Sequence, residues 1–191
     1  MNRERGGSEL RIIGGQWRSR KLPFAAFAGV RPTPDRIRET LFNWLQGVIP
    51  GARCLDLYAG SGALGFEALS RGAESVVLVD QDVRVIQQLQ SNIDRLDARA
   101  ARVIWANALE FIPDWHGAPF DVVFLDPPYR DQALTLCCQK LEDVRALASP
   151  AWIYMEDARH APEPRIPDNW QYLHRKHAGQ INYYLARREE R

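Results

Sequence analysis

The chain has 191 residues, 46% of them apolar and 26% charged, which supports one globular domain with a sizeable core and excludes a disordered chain. No run of about 18 apolar residues occurs, and MNRERGGSELR lacks the apolar segment of a secretory signal, so neither a membrane span nor export is expected. Cys54, Cys137 and Cys138 form no CxxC pair and no metal-ligand spacing; reduced thiols filling a core, a cytoplasmic setting and no metal are the expectation.

The formal charge of +1 hides an asymmetry. Residues 1–40 hold nine Lys/Arg against four Asp/Glu, and residues 171–191 hold five against two. The middle holds eleven against eighteen. Basic ends on an acidic body suggest either a polyanionic partner or a solvated basic surface.

In chain order, LRII and QWRSRKL flank Gly14-Gly15 and predict a hairpin over 10–22, rich in Arg and carrying Trp17. Residues 1–30 read as a basic hairpin extension and 31–191 as the main domain. RPTPDRIRETLFNWLQGV (31–48) predicts a helix: Thr33 can cap, Pro34 suits the first turn, and Asp35 suits the positive end. Ile37, Leu41, Leu45 and Val48 recur at helical spacing.

Strands then alternate with helices. RCLDLYA (53–59), SVVLVD (75–80), RVIWAN (102–107), FDVVFLD (120–126) and AWIYMED (151–157) are predicted strands. The helices between them are expected over 62–72, 83–97, 108–115 and 132–147. In the second, Val83, Ile86, Leu89, Ile93 and Leu96 mark one face. WQYLHRKHAG and QINYYLARR close the chain as two antiparallel strands. The pattern is α/β: a doubly wound, mostly parallel sheet with an antiparallel edge. Ligands are expected at the C-terminal strand ends.

Two motifs carry chemistry. In DLYAGSGALG (56–65), Gly60, Gly62 and Gly65 match GxGxxG after a strand and before a helix, and Asp80 follows Gly60 by 20 residues, where a ribose-binding acid belongs. NAD would set a pyrophosphate on the helix N-terminus. S-adenosylmethionine (AdoMet) has no phosphate and needs a partner for its ammonium group. The acid Asp56 within the loop favours AdoMet. Asn107 can read an adenine edge beside the Ala108 N–H, or cap the next helix. Tyr58 and Gln81 complete the expected cofactor-binding set.

LDPPY (125–129) ends the fourth strand with an acid at the same sheet edge. An exocyclic amine on a nucleobase is a poor nucleophile, because its lone pair is delocalised. Asp126 can accept one of its N–H bonds and the Pro127 carbonyl the other. Pro127 and Pro128 fix the geometry, and Tyr129 offers a ring face for the base. Cytosine C5 chemistry would need a cysteine nearby, and none occurs at 124–130.

With these residues the chain resembles the class I AdoMet-dependent methyltransferases that carry (D/N)PP(Y/F). It resembles most the RsmD-type bacterial enzymes, which methylate N2 of a guanine in small-subunit (16S) ribosomal RNA. The likeness runs through RIIGGQWRSRKL (11–22), RPTPDRIRETLFNWL (31–45), DLYAGSGALGFEALSRGA (56–73), LDPPY and HAGQINYYL (177–185). It implies a Rossmann-like fold and an AdoMet site at Asp56, Gly60, Gly62, Asp80 and Asn107. It also implies amine holding by Asp126, Pro127, Pro128 and Tyr129, and a partner that is ribosomal RNA or an assembling small subunit. Arg11, Arg18, Arg20, Lys21, Arg31, Arg36 and Arg38, with Arg175 and Lys176, are the expected RNA contacts. A monomer is expected. The rival readings are an adenine-N6 DNA methyltransferase, which shares DPPY, and an NAD-dependent oxidoreductase, which leaves Asp56 and DPPY unexplained.

Overall fold

The computed structural model describes residues 8–26, 32–128 and 133–189. Two short strands, β1 (Glu9–Arg11) and β2 (Lys21–Pro23), pair antiparallel. The helix α1 (Asp35–Trp44) follows, and the main sheet begins at β3 (Arg53–Asp56). Then come α2 (Ala63–Ser70), β4 (Ser75–Asp80), α3 (Val83–Leu96), β5 (Ala101–Trp105), α4 (Ala108–Phe111), β6 (Phe120–Leu125) and α5 (Leu134–Asp143). The chain closes with β7 (Leu147–Ala158), β8 (Trp170–Ala178) and β9 (Ile181–Arg188).

The seven-stranded sheet has the order β5-β4-β3-β6-β7-β9-β8. The first five strands are parallel, while β9 runs antiparallel between β7 and β8. The expected antiparallel pair is therefore present. The later strand, β9, takes the inner position and the earlier one, β8, forms the edge.

Alternation along each strand divides the core. Cys54, Val76, Leu78, Val122, Phe124 and Tyr154 face α1, α2 and α3, where Leu41, Phe66 and Leu89 meet them. Leu55, Val77, Val79, Val123 and Ile153 face α4 and α5 on the other side. All three thiols are buried. Burial raises Cys54 and Cys138 far above the usual thiol range and Cys137 to about 11. That suits core packing rather than nucleophilic chemistry.

Three local expectations are revised. Gly14-Gly15 is not a two-residue hairpin turn, because the strands stop at Arg11 and resume at Lys21. The intervening loop lies on α2. The Ile13 and Gly14 N–H groups donate to the Glu67 carboxylate, each at 2.8 Å. The Gln16 N–H donates to the Ser70 carbonyl at 2.7 Å, and the Trp17 N–H to Ser70 Oγ at 2.9 Å. Gly15 has φ of +73°, and a Cβ there would sit 1.7 Å from the Ser70 carbonyl oxygen. The glycines are a docking device.

Thr33 does not cap α1. Pro34 holds the cap position without a side-chain bond, and Thr33 is buried near the Glu156 carboxylate instead. On α3, Val83 is 46% exposed, and Val85 takes the core place expected of it. Asp82 starts that helix by accepting the Arg84 N–H at 2.9 Å.

Glu67 is fully buried and joins these parts. Besides the loop it accepts from Arg71 Nε at 2.7 Å, and it lies 3.5 Å from a guanidinium nitrogen of Arg38. Arg38 is 1% exposed and also donates to the Arg11 carbonyl at 2.9 Å and to Asp35 at 2.5 Å. Breaking a buried, hydrogen-bonded ion pair costs about 3–5 kcal/mol, because one charge is left without its counterpart. Glu67→Gln is expected to destabilise the fold by about 3 kcal/mol, read as a lower urea midpoint at unchanged slope.

Candidate active site

The C-terminal ends of the parallel strands open onto a cleft of about 1100 Å³. Register decides which side chains line it. Asp56 pairs with Leu78 and with Phe124, and Leu125 pairs with Met155. Residues two apart share a face, so Asp56, Asp80, Asp126 and Glu156 all fall on the α1–α3 side of the sheet. All four line the cleft.

The glycine loop is shaped by two of these acids. Gly65 N–H donates to Asp56 Oδ2 at 3.0 Å, and Gly60 N–H donates to Asp80 Oδ2 at 3.0 Å. Asp80 also accepts the Asp82 N–H at 2.9 Å. Gly62 sits at φ of +77°, and a Cβ there would lie 2.5 Å from the Phe66 ring and 2.7 Å from Leu89. A side chain at this position would strain the turn and displace the packing beneath it.

The cluster is electrostatically costly. Desolvation raises Asp56 to about 7, opposed by the Gly65 N–H bond and aided by the Asp80 and Glu156 charges. Glu156, 1% exposed, is pushed by burial to about 7, although the Tyr154 hydroxyl donates to it at 2.8 Å and nearby Thr33 also favours the charged form. Asp126 is held well above the ordinary carboxylate range by desolvation, then by the Glu156, Asp56 and Asp157 charges. Burial likewise raises Asp80.

The remaining expected cofactor residues gather here as well. Tyr58, Gly60, Gln81, Asn107 and Ala108 border the cleft. The Tyr58 hydroxyl also meets Cys137 Sγ at 3.3 Å. Asn107 performs the capping role: its side-chain oxygen accepts the Leu109 N–H at 2.9 Å, while its amide donates to Gln81 Oε1 at 3.1 Å. Pro127 and Pro128 line the cleft beside Asp126. Tyr129 lies outside the described residues, as does Arg31.

The basic residues divide. Arg11, Arg18, Arg20, Lys21 and Arg36 are exposed. Arg11 pairs with Asp35 at 3.4 Å, Lys21 with Glu9 at 3.3 Å, and Arg20 donates to the Arg95 carbonyl at 2.9 Å. Such surface pairs are weak enough to exchange for a phosphate. Arg38 departs from the expectation: its guanidinium is buried in the Glu67 cluster and does not face solvent. Arg175 pairs with Glu163 at 2.7 Å, and Lys176 lies over the Trp44 ring at 5.4 Å. Trp17 packs against the core.

Sequence reasoning missed Glu156, Thr33 and the segment 178–181, all of which border the cleft. A signal existed for Glu156. It is the last but one residue of the strand predicted over 151–157, so the two acids that close that strand, Glu156 and Asp157, could be expected near Asp126.

This strand order, with a glycine loop after the first parallel strand and acids ending the next ones, defines a class I methyltransferase fold. The family model described as conserved hypothetical protein 95 matches residues 10–187, and the chain belongs to this family, the RsmD family. It is 50% identical over 184 residues to ribosomal RNA small subunit methyltransferase D of Escherichia coli K12, covering 96% of this chain and 92% of that protein. The protein of the same name from Haemophilus influenzae is 44% identical, covering 93% of each. The solved structure of yhhF from Escherichia coli, for which a methyltransferase activity is proposed, superposes with a TM-score of 0.88. It is 49% identical, covering 95% of this chain and 99% of that one. Among the described residues no acid, His or Cys cluster could hold a metal, and no helix is long and apolar enough to cross a membrane.

The raised acids have a consequence for stability. A carboxyl whose folded pKa lies above its unfolded value binds its proton more tightly in the folded state, so stability is lost as pH rises. For Asp56 the window runs from its ordinary value of 3.8 to about 7. Asp56→Asn keeps an acceptor for Gly65 N–H and is expected to flatten this fall, gaining roughly 3 kcal/mol over wild type at pH 8 and almost nothing at pH 4. Urea unfolding across pH measures it.

Proposed function

We propose that the chain transfers the methyl group of AdoMet to the exocyclic N2 amine of a guanine in small-subunit ribosomal RNA. The observation that carries this reading is that Asp126 lines the cleft bordered by the glycine loop, on the same sheet face as Asp56 and Asp80. The relatives' names support ribosomal RNA as the substrate class. Guanine N2 rests on the family likeness and on the suitability of acid acceptors for an amine.

The residues fit AdoMet. Asp56 is a buried acid at the cleft, attractive to an ammonium group and repulsive to a pyrophosphate. Each oxygen of Asp80 already accepts one backbone N–H, and a carboxylate has lone pairs left for ribose hydroxyls. Gln81 and Asn107, joined by their amides, stand where an adenine edge would be read. When bound, AdoMet supplies an electrophilic methyl group on a sulfonium.

The chain's own part is positioning and charge. Asp126 accepts one N–H of the target amine, and the Pro127 carbonyl accepts the other. The lone pair then turns out of conjugation towards the methyl group. The fixed φ of Pro127 and Pro128 holds that carbonyl in place, and Tyr129 covers the flat base. Once the nitrogen carries the methyl group it must lose a proton. Asp126, with its raised pKa, is suited to take it. Exposed Arg11, Arg18, Arg20, Lys21 and Arg36 supply sequence-independent contacts to phosphates.

Deleting the gene is expected to abolish one N2-methylguanine in small-subunit ribosomal RNA, seen by mass analysis of digested RNA. An unchanged content of that nucleoside refutes the proposal. In the purified protein, Asp126→Ala is expected to lower turnover about a thousandfold. AdoMet affinity by calorimetry should stay within about threefold, because the Asp56–Asp80 half of the cleft is untouched.

A further inference from the structure

The DPPY motif leaves unexplained the second acid beside Asp126. Glu156 stands one strand away on β7, in register, because Leu125 pairs with Met155. Parallel strands are about 4.8 Å apart, and both acids belong to the face that carries Phe124 and Tyr154. Glu156 is 1% exposed as a residue yet borders the cleft. Its orientation is fixed by Tyr154, which donates its hydroxyl to Oε1 at 2.8 Å, and Thr33, from the segment before α1, stands near enough to favour the charged carboxylate. An acid held this firmly, at a desolvation cost that no bonded cation offsets among the described residues, is a burden on stability. A purely structural role would be served as well by glutamine.

We propose that Glu156 is the residue that selects guanine, by accepting the N1–H of the base while Asp126 accepts from the adjacent N2 amine. This rests on the reading above and deepens it. Guanine presents two neighbouring donors, N1–H and N2–H, and two carboxylates side by side offer two acceptors. A purine with an unprotonated N1 presents a lone pair at that point. When Glu156 is ionised it meets a carboxylate with no proton between them, and the contact becomes repulsive; the two bases are therefore compared near pH 9, above the value of about 7 to which burial raises this acid. Selectivity built on such an unpaired or repelled group is stronger than selectivity built on shape. Thr33 of RPTPD, near Glu156 rather than capping its helix, borders the cleft at the same place.

The test compares two substrates that both carry the 2-amino group. Small-subunit ribosomal RNA is ligated with guanine or 2-aminopurine at the target position and presented naked or reconstituted into subunits. 2-Aminopurine lacks the N1 proton, and its missing O6 is a loss common to every enzyme variant compared. Wild type is expected to favour guanine at least a hundredfold in kcat/KM. Glu156→Gln preserves volume and can accept from Tyr154, yet its amide can donate to an unprotonated N1. It is expected to cut that preference at least tenfold, by losing activity on guanine while holding or gaining it on 2-aminopurine. AdoMet binding should be unchanged. If Glu156→Gln does not fold, Glu156→Asp, which withdraws the carboxylate by one methylene, must narrow the preference in the same direction. An unchanged ratio in the folded variant overturns the assignment of Glu156, and so does a wild type indifferent to the two bases. A wild type that methylates neither substrate refutes the underlying proposal instead.

Discussion

Side chains two residues apart on a strand share a face, and strands paired in parallel register share it with their neighbours. The site depends on this constraint. Asp56, Asp80, Asp126 and Glu156 come from four strands and meet because the register of β3, β4, β6 and β7 aligns their C-terminal ends. Asp56 feels the charges of Asp80 and Glu156, and Asp126 those of Glu156 and Asp56. Two are pushed to about 7, and Asp126 is held well above the ordinary range. The apolar layers on either side of the sheet oppose this repulsion, with Phe124 and Tyr154 directly below Asp126 and Glu156. A sheet edge of neutral side chains would avoid this cost.

The N-terminal segments are tied to the same edge through Glu67. It fixes the 12–20 loop on α2 and meets Arg38 from α1. Because α1 is anchored there, Thr33 just before it reaches Glu156. The basic hairpin and the acid cluster are thus mechanically connected through one buried carboxylate. Arg38, whose charge suggested a surface contact, is consumed in making that connection.

Much of this was legible in the residues. The strand–glycine–helix pattern, the acid at the end of β4 and the DPPY end of β6 each carry local signals. A continuous apolar run such as FDVVFL reads as a strand buried on both faces. Other features depend on tertiary contacts that no local pattern reports. Arg38 and an exposed arginine have the same spacing within RIRE, and only Glu67, 29 residues on, distinguishes them. Thr33-Pro34 has the composition of a cap, yet the carboxylate that Thr33 stands near, Glu156, lies 123 residues away. Gly14-Gly15 has the composition of a tight turn, and only the surface of α2 reveals its use. Glu156 was recoverable by aligning strand ends, a step that local motif reading omits.

The position of β9 has a consequence for how the nascent chain matures. During synthesis β7 appears before its inner partner, with Ile153 and Tyr154 on an open edge. β9 pairs with β7 directly, whereas β8 reaches the sheet only through β9, so β8, although made first, cannot dock until β9 is in place. Their connecting turn, which brings Gly179 and Gln180 to the cleft, arrives with them. Until then the growing chain presents an unpaired sheet edge, the kind of surface that recruits strangers. The cleft gains its 178–181 border by the same event that ends this hazard.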